Sequence, residues 1–421
     1  MVAAAGILAQ LEAACGAGQA RAAGPGDAVG GVPARWVAAP GSTAQVAAVL
    51  RVAAEAGLAV VPRGAGTKTG WGAPPSTVDI VLETGRLSGV AEHSPGDLVA
   101  TVGAGTPLRA LAAALAPAGQ RLALEVGSGD ATVGGVLATG EAGPLRLRHG
   151  AGRDLLIGAE LVRADGVVAH SGGRVVKNVA GYDVGKLLCG SYGTLAVLTS
   201  ATFRLHPLPR ARAWVCRAVR SPLELRELVG GVLAATVEPV AVEVDLPGNG
   251  AGPEGPSGTV VALLEGSPGG VAKRAATTQE LLGPGASVVP EPPPWWGRYP
   301  FAAGDVALKL AAPVDDLHAA LYALRDAAGA GVPVRGSAGT GVVFAALPGA
   351  TGPARLSTIL DSVRSVLVAR GGSCVVLAAP PSLAGTVDLW GPVPGLALMR
   401  RVKEQFDPDR RLSPGRFVGG I

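Results

Sequence analysis

Residues 60–70 read Val60-Val61-Pro62-Arg63-Gly64-Ala65-Gly66-Thr67-Lys68-Thr69-Gly70. Two β-branched residues run into a loop of glycines and hydroxyls with no bulky side chain. A short strand entering such a loop turns successive backbone N–H groups into a nest for phosphate oxygens, and glycine lets a ligand approach the chain. Thr67 and Thr69 add hydroxyl donors. The loop is not that of the P-loop NTPases, because the G-x-x-x-x-G-K-[ST] spacing is absent. A tight turn would account for one or two glycines, but less easily for the polar residues around them.

A second stretch, Gly127-Ser128-Gly129-Asp130-Ala131-Thr132-Val133-Gly134-Gly135, continues through Gly140 and Gly143 to His149-Gly150 and Arg153-Asp154. It reads as one long glycine-rich loop over 127–152. Two separated glycine-rich stretches point to a large, two-sided ligand such as a dinucleotide. Between them Val102-Gly103-Ala104-Gly105-Thr106-Pro107 imitates the start of a Rossmann fingerprint. Leu108 stands where the third glycine belongs, and no acidic residue ends a strand about twenty residues on, so that site is set aside.

Outward from these loops, Ser42-Thr43 caps a helix reaching Gly57, with Val46, Val49, Leu50 and Ala53 on one face. Strands are expected at 58–62, 78–82, 98–102, 155–163, 167–170 and 194–205, with a helix at 107–116. After Pro207 and Pro209 the texture changes. Strand 214–219, helix 223–235, strands 240–246 and 259–264 and helix 270–282 are followed by strand 306–310, helix 315–328, strands 332–336 and 342–347, helix 355–369 and strand 373–377. That is β-α-β-β-α twice, with a last strand closing the second unit. It predicts an antiparallel sheet covered by helices, built from two ferredoxin-like halves. The stretches 247–257 and 283–300 read as exposed loops. The tail carries a polar helix at 396–405 and the loop FDPDRRLSPGRF.

Composition narrows the classes. The 421 residues, 48% hydrophobic and 16% charged, exceed what one core supports and exclude general disorder. The longest uncharged run, 336–354, holds five glycines and two prolines, which argues against a membrane span despite a mean hydropathy of +0.38. The N-terminal stretch has no basic segment before its apolar residues and reads as a helix, not a signal peptide. Net charge is +4, but the basic residues are scattered and only 15 aromatics could stack bases, so nucleic acid is not expected. Cys15, Cys189, Cys216 and Cys374 are far apart with no CxxC, so no metal is expected and buried thiols are the default.

The runs PRGAGTKTG, VGSGDATVGG, GGRVVKNVAGYDVGKLLCGSYGTLAVLTSATFRLHPLP and FDPDRRLSPGRF, in that order, resemble the FAD-linked oxidases of the vanillyl-alcohol-oxidase or PCMH-type fold. The likeness covers roughly residues 35–210 and 390–417. KNVAGYD and the modest length are most similar to the FAD-binding E-type subunits of bacterial glycolate oxidase. The resemblance implies an α+β fold with a two-subdomain FAD-binding domain at 1–210, of which 1–34 is an extension. An antiparallel-sheet cap at 211–387 and a segment at 388–421 returning to the FAD domain complete it. Carried over by position, the FAD pyrophosphate falls on Pro62, Arg63, Gly64, Ala65, Gly66, Thr67, Lys68 and Thr69. The second loop, Gly127 and Ala131, Thr132, Val133, Gly134 and Gly135, faces the pyrophosphate and ribityl chain. His149-Gly150 lies near the flavin ring, and Val197 holds adenine through its main chain.

Three departures from the family qualify this. The first loop has no histidine, which implies non-covalent FAD. Tyr192 replaces the glutamate of the family's Gly-Ser-Glu-Gly step. Only His318 lies beyond residue 210, and it is expected on a surface, so the family's histidine cluster is missing. Oxidising a 2-hydroxy acid needs a group for the hydroxyl proton and a cation for the carboxylate. Arg335, Arg298 or Lys309 could supply the cation; His149, Lys177 and Tyr182 are the candidate bases. The resemblance implies a cytoplasmic subunit of a 2-hydroxy-acid dehydrogenase complex, held at the inner membrane face by a second flavoprotein and an iron–sulfur subunit. A stand-alone hydroxy-acid or alditol oxidase and a non-catalytic assembly subunit are the alternatives.

Overall fold

The computed structural model describes residues 2–173, 183–248 and 258–421. A first sheet contains β1 (Ala20–Ala22), β2 (Trp36–Ala38), β3 (Val60–Arg63) and β4 (Ile80–Glu83) in the order β1-β2-β4-β3. β2, β4 and β3 run parallel. They are covered by α1 (Val2–Cys15) and α2 (Thr43–Glu55). Ser42 Oγ accepts from the Gln45 N–H at 3.2 Å to start α2, which ends two residues before Gly57 at φ +65°. The apolar face of α2 buries Val46, Val49, Leu50 and Ala53 with Val60, Ile80 and Leu82. That packing fixes where β3 releases the chain into its loop.

The next strands are β5 (Val90–Ser94), β6 (Val99–Gly103), β7 (Gln120–Arg121), β8 (Leu156–Arg163), β9 (Val168–Gly172), β10 (Ala196–Arg204) and β11 (His206–Pro207). Five of them form an antiparallel sheet, β5-β6-β10-β8-β9, while β7 pairs with β11. Between β6 and β8 lie α3 (Leu108–Leu115), α4 (Val133–Thr139), α5 (Arg146–His149) and α6 (Gly152–Leu155). The stretch 127–152 is therefore not one loop. Thr132 Oγ1 caps α4 through the Gly135 N–H, and Gly140 at φ +64° ends it. β1 and β2 escape sequence reading because they are three residues long, and β5 because its residues VAEHS show no alternation of buried and exposed positions.

The largest sheet is wholly antiparallel. It contains β12 (Ala211–Val219), β13 (Ala241–Leu246), β14 (Gly258–Gly266), β15 (Ser287–Val289), β16 (Val306–Ala311), β17 (Val334–Ser337), β18 (Val342–Leu347) and β19 (Ser373–Ala378), in the order β15-β12-β14-β13-β17-β18-β16-β19. Each half repeats the ferredoxin-like strand order, and the halves join through β13 and β17. The first half closes too. Ser287–Val289 pairs with β12, so part of 283–300 is an edge strand rather than a loop. Helices α7 (Pro222–Ala234), α8 (Pro268–Leu282), α9 (Leu317–Ala328) and α10 (Pro353–Val368) bury one face over Val215, Val244, Leu264, Leu308 and Val343. His318, on α9, is half-buried rather than at the surface, because its neighbour Leu317 is drawn into that core.

After α11 (Pro381–Ala384) and α12 (Leu396–Phe406) the chain returns to β3. Val60 N–H donates to Arg411 O at 2.8 Å, and Ser413 N–H to Val60 O at 2.9 Å. Among the described residues no helix is long and apolar enough to cross a membrane.

Candidate functional site

Where β3 ends, a cleft open to solvent lies between four segments distant in sequence. One wall is Pro62, Arg63, Gly64, Ala65, Gly66, Thr67, Lys68 and Thr69. The opposite wall is Thr132, Gly134, Gly135, Ala138 and Thr139, along α4. Ser191, Tyr192 and Gly193 lead into Ala196, Val197 and Leu198 of β10 on a third side, and Arg416 from the tail completes the lining.

The two glycine-rich stretches touch here, and only glycine permits it. A Cβ on Gly64 would lie 2.1 Å from Thr132 Oγ1, and one on Gly134 3.0 Å from the Cβ of Ala104. Gly66 has open space but sits at φ +76°, a conformation side chains resist. The lining is backbone, small side chains and hydroxyls, with three basic residues and no acidic one. That donor set fits a phosphate-bearing ligand.

The basic side chains, however, already have partners. Arg63 Nη2 donates to Asp27 at 2.7 Å and to Glu83 at 2.6 Å. Arg21 and Arg63 together hold the Asp27 carboxyl well below the usual range. Lys68 is buried, its Nζ donating to Glu141 at 2.8 Å and Ser128 at 2.9 Å. Loop 64–70 thus presents main chain and hydroxyls to the cleft, while its long cations anchor it from behind. Glu141, on the segment after α4, also accepts from Ser128 Oγ at 2.6 Å and from the Tyr299 hydroxyl at 2.7 Å.

Sequence reading expected the tail to return to this domain but did not foresee Arg416 in the cleft lining. Arg416 Nη2 donates to Thr69 O at 2.8 Å and Trp71 O at 2.7 Å, and its burial pulls it down to about 10. Lys403 and Asp407 form a buried pair at 2.7 Å, with Lys403 also donating to Thr194 O and Leu412 O. Tyr192 takes φ +57° and stacks on Phe417, and burial pushes its hydroxyl up to about 12. Besides the run FDPDRRLSPGRF, the i, i+4 spacing of Lys403 and Asp407 was the signal in advance.

Other expected site residues lie elsewhere. Ala131 and Val133 are fully buried behind the cleft wall, where α4 packs on β6. Gly127 lies against Tyr299, where a Cβ would be 2.8 Å from the ring. His149 and Gly150 do not reach the cleft. Gly150 ends α5 at φ +78°, and His149 turns onto His206, ring centroids 4.4 Å apart, in a groove lined by Arg121, Arg148 and Arg210. Burial pulls His149 down to about 4. Lys177 and Tyr182 lie outside the described residues.

The face of the large sheet opposite its helices looks toward Tyr299 and the 127–146 segment. Arg335 Nε donates to Asp245 at 2.7 Å and Nη1 to Tyr299 O at 3.1 Å, so its charge is not free. Tyr299 stacks on Phe301 and meets Trp71 and Phe344 edge-on. A smaller cavity, about 340 Å³, is lined by Gly127, Pro144, Glu243, Arg298, Tyr299, Arg335 and Phe344 among others. Burial pushes Glu243 up to about 8. Its Oε1 and the Oγ of its cross-strand neighbour Ser337 are buried without a hydrogen bond.

This architecture and cleft define a flavoprotein fold, and residues 34–172 match the family described as FAD binding domain. Residues 34–172 therefore carry an FAD-binding domain. It is similar to a D-lactate dehydrogenase from Archaeoglobus fulgidus, 39% identical over 174 residues, which is 41% of this chain and 39% of that one. It is 35% identical over 185 residues to glycolate oxidase subunit GlcE of Escherichia coli, covering 44% of this chain and 51% of the subunit. The matched region thus spans about half the length of these relatives, or less. The whole fold is similar to 4-ethylphenol oxidase from Gulosibacter chungangensis, with a TM-score of 0.71 at 16% identity, covering 98% of this chain and 96% of that one. A p-cresol methylhydroxylase gives 0.72 at 15% identity over the same shares.

Proposed function

We propose that this chain is the FAD-binding subunit of a glycolate-oxidase-like 2-hydroxy-acid dehydrogenase complex. In this reading it is a flavin-dependent oxidoreductase for the CH–OH group of a small 2-hydroxy acid. The observation that carries the proposal is the cleft in which Gly64 and Thr132 meet, lined by main chain, hydroxyls and basic residues. Relatives named for D-lactate and glycolate chemistry support it. Loop 64–69 and Thr132–Gly135 would hold the pyrophosphate through N–H groups and hydroxyls, and the main chain of Val197 would hold the adenine. FAD is read as non-covalent, since the cleft lining offers neither His nor Cys.

Bound FAD supplies the acceptor for a hydride from the alcohol carbon. The protein's share is to orient the acid and move its hydroxyl proton. His149 does not serve, because it faces a different groove. Among the described residues no cluster of His, Cys, Asp and Glu could hold a metal, and the four cysteines are free. An iron–sulfur cluster and a second flavin would therefore belong to partner subunits, which would hold this cytoplasmic subunit at the membrane. The ionisable row on the sheet face, Asp245, Arg335 and Lys309, favours a second reading, a stand-alone hydroxy-acid or alditol oxidase.

The test is a visible spectrum of the purified chain, before and after glycolate or D-lactate without oxygen. Flavin released by mild denaturation is expected. Bleaching by substrate would make the chain a catalyst alone; flavin that stays oxidised would point to the partner-dependent subunit. A chain without flavin, even after reconstitution, would overturn both. Gly66→Glu should lose FAD while keeping the fold, since it places a carboxylate at the nest and strains φ +76°.

A further inference from the structure

Ionisable side chains on the sheet's inner face fall into register. β17, β18 and β16 place Arg335, Phe344 and Lys309 side by side, and Asp245 of β13 extends the row. Asp245 neutralises Arg335. Lys309, half-buried, has no hydrogen bond or ion pair among the described residues. From the opposite side, α5 presents Arg146, also half-buried and also without a side-chain partner. Asp154 is near Arg146 but exposed, with its carboxylate capping the Ala151 N–H.

Two cations so placed are costly to withdraw from water unless something anionic joins them. Burial pulls both below their ordinary values, and Arg146 lowers Lys309 further, so the two heads feel each other. The acid nearest Arg146 on the sheet, Glu243, is the one burial keeps protonated to about 8, and it does not balance them. Arg146 also feels Tyr299, whose hydroxyl reaches Glu141 and through it Lys68 of the cofactor loop. The unpaired charge is therefore linked to the cleft wall through the field it shares with Tyr299 and the hydrogen bonds from Tyr299 to Glu141 and from Lys68 to Glu141.

Resting on the function proposed above, we infer that Arg146 and Lys309 form the seat for the carboxylate of a small organic acid, with Glu243 and its cross-strand neighbour Ser337 beside it to meet the acid's hydroxyl. A neutral alcohol would leave both cations unbalanced and should bind poorly. The seat lies on the sheet face and α5, not on the histidines a sequence reading would favour.

The test uses the full chain with oxalate as probe, read by perturbation of the flavin spectrum and by oxalate-dependent rise in Tm, the latter also in chain stripped of FAD. Oxalate should bind and propane-1,2-diol should not. Arg146→Met and Lys309→Met should each keep FAD, unfold at the same or higher temperature because an unpaired charge is gone, and weaken oxalate at least tenfold. Arg146→Lys should restore part of the binding. Unchanged oxalate affinity in both Met variants would overturn the seat. So would a lowered Tm with lost FAD, which would make the cations structural. Absence of flavin with a retained, Arg146-dependent oxalate shift would instead sink the FAD reading and leave the seat standing.

Discussion

Around the cofactor cleft, Arg63 is held by Asp27 and Glu83, Lys68 by Glu141, and Arg416 by two carbonyls. On the inner face of the eight-stranded sheet, Lys309 and Arg146 have no such partner among the described residues, and burial holds Glu243 protonated up to about 8. The first region spends its charged groups on building a rigid frame, which leaves main-chain donors to meet phosphate. The second leaves charge uncompensated at a junction between chain segments, where a small ligand could complete it. Paired charge marks scaffold here, and unpaired charge marks a place for something absent.

The scaffold side breaks most severely at its most buried pair. Lys403 and Asp407 are 2% and 0% exposed, and Asp407 also accepts from the Arg411 and Leu412 N–H groups. Asp407→Ala strands a buried ammonium and frees the tail from β3, so a loss of about 3–5 kcal/mol is expected in urea unfolding. Lys403→Met combined with Asp407→Leu should recover part of it. A single variant within about 1 kcal/mol of the parent would show that the tail is not anchored this way.

The sheet face should respond with opposite sign. A Glu243 carboxyl that titrates near 8 when folded and near 4.5 when unfolded is protonated in both states below pH 4.5, where it contributes no penalty. As pH rises from there to about 8 only the unfolded state releases its proton, so stability falls across that window. Glu243→Gln removes this slope and should gain up to about 4 kcal/mol at pH 8 relative to its effect below pH 4.5. Parallel stability–pH curves for the two proteins would contradict the unpaired state of Glu243.

The contact between the loops comes next. Gly64→Val forces a side chain into Thr132 Oγ1 and should cost about 1–3 kcal/mol while emptying the cleft of FAD. Full flavin content in this variant would show that loops 64–70 and 131–135 do not hold the cofactor together.

How much of this was legible in the sequence follows the same division. The loop at 60–70 and the helix and strand periods of the cap are local signals, and they placed β3, β12–β14 and β16–β19 within a few residues. β15 and α4 were missed, the one because three residues carry no period, the other because glycines hid its Thr132 cap. Side-chain fates were illegible for a different reason. Arg63 finds Asp27 and Glu83 at separations of 36 and 20 residues, and Lys68 finds Glu141 at 73. No spacing rule reaches that far, so cations assigned to phosphate turned out to be anchors. Lys309 and Glu243 did leave a trace, a charge at alternate positions within VALKLA and AVEVDL, which marks the face away from the helices.

Tyr299 joins the two regions and offers the mildest test. Its hydroxyl donates to Glu141 at 2.7 Å, while its ring is held by Phe301, Phe344 and Trp71. Tyr299→Phe keeps that packing and removes one donor from a carboxylate that still has Lys68 and Ser128, so about 1.5 kcal/mol should be lost. The distinguishing readout is kinetic. If Tyr299 only fills space, FAD release should be unchanged. If it couples the sheet face to Lys68, release should quicken several-fold in stopped-flow fluorescence, and oxalate should no longer slow it. A variant that releases FAD at the parental rate, with oxalate still protective, would separate the two regions and leave the carboxylate seat acting on its own.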